Sequence, residues 1–142
     1  MKTVRDIMAD NVSACKPTDT LSEAATLMKE RNVGAIPVCS DNQELLGMVT
    51  DRDLVIRGYA DNKDGSRQVQ EVMSEHLYYV SPDVTLQDAS EAMAEHQIRR
   101  LPVVANGKLA GIVSLGDLSV DDMSDEAAGR ALEEISERTE LQ

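Results

Sequence analysis

The chain is a tandem repeat, and no other feature restricts its fold so strongly. VRDIM at 4–8 returns as VQEVM at 69–73, Pro17 as Pro82 and Pro37 as Pro102, all at an offset of 65. GMVTDRD, Gly47 to Asp53, then returns as GIVSLGD, Gly111 to Asp117, at an offset of 64. The residue lost lies between CSDNQELLG and VANGKLAG, a turn-rich stretch where shortening a chain costs least. The repeat defines units at 1–62 and 66–120, followed by an acidic tail at 121–142, with the polar stretch YADNKDGSRQ (59–68) as the linker.

Each unit reads the same way. A helix-like lead-in (VRDIM) is followed by a short extended piece, VSAC or YYVS, ended by proline. Thr20-Leu21-Ser22-Glu23 is a capping box and Thr85-Leu86-Gln87-Asp88 a weaker copy, so a helix starts after each threonine. Leu21, Ala24, Ala25 and Met28 mark its buried face in the first unit, and Leu86, Ala89 and Met93 in the second. AIPVC and LPVVA read as buried strands; an Asp-Asn or Asn-Gly turn leads to the return strands LLGMVT and LAGIVS. The last helix begins at the hydroxyl residue, Thr50 or Ser114. The expected fold is α/β: two β-α-β-β-α repeats packed sheet to sheet with pseudo-twofold symmetry, because one such unit is too small to cover its own sheet. Ala128, Ala131, Leu132 and Ile135 predict an amphipathic C-terminal helix.

The net charge of −12 disfavours nucleic acid and anionic membrane as partners, and three tyrosines are the only aromatics, which leaves little for base stacking along a strand. No apolar run is long enough to span a bilayer, and the N-terminus lacks the apolar core of a signal peptide, so a cytoplasmic location is expected.

The heptad carries the chemistry. Thr50 or Ser114 at a helix N-cap accepts from a backbone N–H, and Asp53 or Asp117 lies three residues on, in the first turn. That much is a capping box. The glycine three residues before the hydroxyl lets something approach the backbone closely. An ionised carboxylate beside a hydroxyl also suits a vicinal diol, and a helix N-terminus favours a phosphate nearby. Two copies point to two related small-molecule sites where the halves meet.

The order of motifs, from the lead-in through P-x-x-T-L and I/L-P-V to G-h-h-T/S-x-x-D, resembles a tandem pair of CBS domains over residues 1 to about 120. The likeness is strongest to small bacterial stand-alone CBS-pair proteins, including the hypoxic-response type, in TDRDLVI, YYV and EHQIRRLPVV. The resemblance implies a regulatory sensor of an adenosine-containing ligand (AMP, ADP or ATP), bound in clefts between the repeats. It also implies a homodimer; an unidentified effector protein is a further expected partner, and neither another cofactor nor catalysis is expected. It places the ribose on Thr50 with Asp53 and on Ser114 with Asp117. It places the base near Cys15, Val33, Gly34 and Met48 in one cleft and near Val80, Ile98 and Ile112 in the other. Phosphate falls to Arg99 and Arg100. Their counterparts in the first half, Gly34 and Ala35, carry no charge, so only Arg52 could compensate there and unequal sites are expected.

Cys15 and Cys39 each end a strand and correspond to Val80 and Val104, which favours small core hydrophobes. A redox pair remains open, and with it an alternative function as a nucleotide-free redox-responsive or structural interaction protein. His76 and His96 have no neighbouring ligand set, so no metal site is expected. No P-loop occurs, and no histidine stands beside a nucleophile in a recognisable motif.

Overall fold

The computed structural model describes residues 1–75 and 77–119. His76 and the expected tail helix lie outside the described residues. The fold is α/β, as the pattern predicts. Helix α1 (Leu21–Arg31) leads to strands β1 (Ala35–Cys39) and β2 (Leu45–Thr50), then to the short helix α2 (Asp51–Asp53). Helical turns carry on from α2 through Asp61, and Leu54–Gly58 are wound as π-helix. The second half repeats the order with α3 (Leu86–His96), β3 (Arg100–Ala105), β4 (Lys108–Ser114) and α4 (Leu115–Ser119). The strands make two sheets, β1-β2 and β3-β4.

Local chemistry accounts for the element ends. Thr20 Oγ1 accepts from the Glu23 N–H, and Thr85 Oγ1 from the Asp88 N–H, at 3.1 Å each. Asn32 (φ 55°) and Gln97 (φ 60°) end α1 and α3 in the left-handed conformation. Asn106 and Gly107, both at positive φ, turn β3 into β4 as a tight hairpin requires. The expected first strands shrink to single parallel bridges, Cys15 to Val38 and Val80 to Val103. In the first, the Lys16 N–H donates to Asp19 Oδ2 at 2.8 Å and Pro17 has no N–H, so the ladder stops there.

The chain forms two compact units: Ser13–Leu77 with Gly107–Leu109, and Met1–Val12 with Tyr78–Asn106 and 110–119. In the first, Leu21, Ala24 and Met28 of α1 pack with Cys15, Ile36, Val38 and Val49. Ala25, expected on that face, is exposed: it falls at the rim of the helical stripe. In the other unit, Leu86, Ala89 and Met93 pack with Leu101, Val103, Val113 and Leu118.

Each core is closed by a lead-in turn that the sequence assigns to the other repeat. The 3₁₀ turn Val69–Glu71 places Val69 and Val72 in the core of α1, and Val4–Asp6 places Val4 in the core of α3. Each segment then joins a sheet edge. Ser74 bridges Met48 of β2, with N–H···O distances of 2.8 and 3.0 Å; Ala9 bridges Ile112 of β4, both at 2.9 Å. The backbone that comes close to the repeated glycine is therefore the chain's own. A Cβ on Gly47 would stand 2.8 Å from the Ser74 carbonyl oxygen and 3.0 Å from Met73 Sδ. On Gly111 it would stand 2.6 Å from the Ala9 oxygen and 2.9 Å from Met8 Sδ. The methionine ending each lead-in and the glycine opening each heptad are thus contact partners.

Candidate functional site

The hydroxyl and carboxylate of each heptad are locked together. The Thr50 N–H donates to Asp53 Oδ2 and the Asp53 N–H to Thr50 Oγ1, both at 3.0 Å. The Ser114 N–H donates to Asp117 Oδ2 at 2.9 Å and the Asp117 N–H to Ser114 Oγ at 3.0 Å. Each pair is a reciprocal capping box built with aspartate. The box occupies one carboxylate oxygen and one hydroxyl lone pair. It leaves the other carboxylate oxygen as an acceptor and the hydroxyl proton as a donor, a pairing that a vicinal diol can meet. Arg57 Nε stands 3.9 Å from Asp53 Oδ1, close enough for charge attraction and too far for a hydrogen bond. Arg57 Nη1 also reaches the carbonyls of Val72 and Met73, at 3.4 Å each. Sequence reading missed Arg57, although a basic residue four positions after an acidic one on a helix is a legible signal.

Strand alternation decides which apolar side chains share a face with these pairs. In β2, Val49 enters the core, so Met48 and Thr50 face the other way, with Pro37 and Ala35 opposite them on β1. In β4, Val113 enters the core, so Ile112 and Ser114 share the other face. Cys15, Val33, Val80 and Ile98 turn their side chains into the cores, which leaves chiefly their backbone for a ligand.

The two sites differ in charge. Leu101 and Val103 are core residues, so Arg100 falls on the face of Ser114, and the Arg99 carbonyl accepts from the Leu115 N–H at 2.8 Å. Neither arginine makes an ion pair among the described residues. In the first half the Gly34 carbonyl accepts from the Asp51 N–H at 2.9 Å. Arg52 is exposed beside it, without an ion pair among the described residues.

The ladder sets the two cysteines side by side in the backbone. The Cys15 N–H donates to the Pro37 carbonyl and the Cys39 N–H to the Cys15 carbonyl, so Cys15 lies opposite Val38 and shares its face. Cys39 follows Val38 where the register of the β1–β2 ladder shifts, and both thiols are free. Cys15 opens slightly onto a groove of about 360 Å³ along α1, shared with Asp19, Ser22, Glu23 and Glu30. Burial first, then Asp19, Cys39 and Glu23, push its thiol up to about 12 from an ordinary value of 9.0. The folded state therefore holds its proton more tightly than the unfolded chain. The stability this contributes is complete below about pH 9 and lost as the pH rises toward 12. Cys15→Val, which copies Val80, is expected to flatten the alkaline fall of stability in urea titrations at pH 8 and 10. Thiol titration after mild oxidation is expected to count two free thiols per chain; one disulfide per chain would make Cys15 and Cys39 a redox pair.

His96 stacks on Tyr78, with ring centroids 3.5 Å apart. Among the described residues no group of three or more His, Cys, Asp or Glu converges to hold a metal ion. Nor is any described helix long and apolar enough to cross a membrane.

The CBS domain family model matches residues 4–58 and 69–120. The chain is 52% identical over 136 residues to the CBS domain-containing protein YhcV of Bacillus subtilis, covering 96% of each chain. Its fold is similar to that of Hypoxic Response Protein I, solved with two coordinated zinc ions, at a TM-score of 0.79 and 39% identity over 84% of this chain and 98% of that one. The Mycobacterium tuberculosis protein of that name is 40% identical over 120 residues, 84% of each chain. CBSX2, solved in complex with AMP, aligns at a TM-score of 0.78 and 31% identity over 89% of this chain and 99% of that one. With both halves matched by the family model and relatives aligned along nearly its whole length, the chain belongs to the CBS-domain family and carries two CBS domains in tandem.

Proposed function

We propose that this CBS pair is a regulatory module that binds adenosine-containing ligands at its hydroxyl–carboxylate pairs, with AMP, ADP or ATP at one pair at least. The observation that carries this reading is the spare chemistry of each capping box: one carboxylate oxygen and one hydroxyl proton remain free beside an apolar side chain, Met48 or Ile112. Arg99 and Arg100, both without an ion pair among the described residues, suit a phosphate at the second site. The solved CBSX2 complex with AMP supports the ligand class. A ligand regulates only if it prefers one conformation of the module over another, and the readout then passes to a second copy or an effector. Exposed Val55, Ile56 and Tyr59, along one stretch of helical turns, are an apolar surface suited to a second copy.

Thermal unfolding with and without AMP, ADP and ATP tests the proposal. At about 100 times the dissociation constant, linkage gives about 2.7 kcal/mol of stabilisation. No shift with any of the three at millimolar concentration would remove this ligand class.

A further inference from the structure

The residues around the two hydroxyl–carboxylate pairs differ in charge, and one of the differences is Asp51. At Leu115, the matching position, the second half carries no charge. Over the matched positions 34, 35, 51, 52 and 53 the first half carries one net negative charge; over 99, 100, 115, 116 and 117 the second carries one net positive charge. The Asp51 carboxylate is also held in place. Its Oδ1 accepts from the Arg52 N–H at 2.8 Å, and its Oδ2 lies over Gly34, 3.0 Å from where a Cβ on that glycine would be. It follows Thr50 directly in sequence, and its own N–H is tied to the Gly34 carbonyl. An anion brought to Thr50 and Asp53 therefore meets a second, fixed negative charge. Arg57 offers little relief, because it is turned toward Asp53 and the Val72 and Met73 carbonyls, and the exposed Arg52 offsets only one of the two carboxylates, Asp51 and Asp53.

We propose that Asp51 makes the first site selective for an adenosine-containing ligand with no negative charge on its 5′ substituent, while the Arg99–Arg100 site takes the phosphorylated one. The proposal rests on the adenosine reading above. Gly34 leaves room over the backbone where the second half has arginine, and the carboxylate occupies that room. A neutral or cationic 5′ group is tolerated beside it; a phosphate is repelled, by about tenfold in affinity for charges a few ångströms apart at a partly exposed site.

The test is calorimetric titration of the full-length chain with adenosine and with AMP, in an Asp117→Asn background that disables the second site. Adenosine is expected to bind the remaining site more tightly than AMP. Adding Asp51→Asn, which keeps an acceptor for the Arg52 N–H and removes the charge, is expected to raise AMP affinity about tenfold and leave adenosine nearly unchanged. Asp51→Leu, copying Leu115, provides a second variant with the same expected direction. AMP binding at least as tightly as adenosine before the Asp51 change would overturn the proposal, as would a ratio that Asp51→Asn does not move. Binding of neither ligand, in a protein that melts like wild type, is a separate result: it overturns the adenosine reading of the first site itself.

Discussion

Gly111→Ala is expected to destabilise the protein by about 2 kcal/mol and to lower its melting temperature by about 6 °C. The new methyl carbon would lie 2.6 Å from the Ala9 carbonyl oxygen and 2.9 Å from Met8 Sδ. Met8 can swing its flexible side chain away at little cost. The Ala9 oxygen cannot, because Ala9 and Ile112 exchange both backbone hydrogen bonds. Relief of the clash must therefore break or stretch that pairing and unseat the lead-in segment. Gly47→Ala meets the same obstacle at 2.8 Å from the Ser74 oxygen and should cost somewhat less. Gly116→Ala is the control of opposite sign: its methyl would meet only Ser114 Oγ at 3.7 Å, and alanine is the better helix former by up to about 1 kcal/mol. Urea titrations of the three variants check the order. If Gly111→Ala were as stable as wild type, the lead-in would not lie against β4 as described.

Asp53→Asn and Asp117→Asn are expected to separate the two uses of the aspartate. The amide oxygen of asparagine can still accept from the Thr50 or Ser114 N–H, so unliganded stability should change by only about 0.5 kcal/mol. The amide nitrogen, placed where the free carboxylate oxygen was, donates and cannot accept a ribose hydroxyl proton. Loss of the charge-assisted hydrogen bond from a ribose hydroxyl costs about 2 kcal/mol, or about thirtyfold in affinity at the altered site. Calorimetry with AMP on Asp117→Asn and with adenosine on Asp53→Asn reads each site separately. Unchanged affinity in both would mean that the carboxylates serve only the helix ends, as the capping boxes alone would require.

What could be read from the sequence followed the range of the interactions. Leu86, Ala89 and Met93 share a face through helical period alone, and the Asn106–Gly107 turn needs only its own backbone conformation. Thr50 with Asp53 closes over three residues, so its cap is written locally. The missed features join residues distant in sequence. Asp51 reaches over Gly34 across a hairpin, and Ala9 meets Ile112 across most of the chain. The orientation of Cys15 against Cys39 depends on which residue stands opposite in a parallel bridge, and periodicity within one strand cannot supply that. The repeated methionine and glycine were both visible, but nothing local said that each methionine serves the other repeat's glycine.

That exchange puts the duplicated segment out of phase with the folded unit. A single repeat cut at its sequence boundaries would carry a lead-in with no edge of its own to join, and a sheet edge with no lead-in. Two separate copies could supply each other, as in a domain-swapped pair, but only as far as their concentration allowed. Fusing the copies in one polypeptide makes the supply intramolecular, at the high effective concentration of a short tether. Duplication here completes a fold that one copy leaves open.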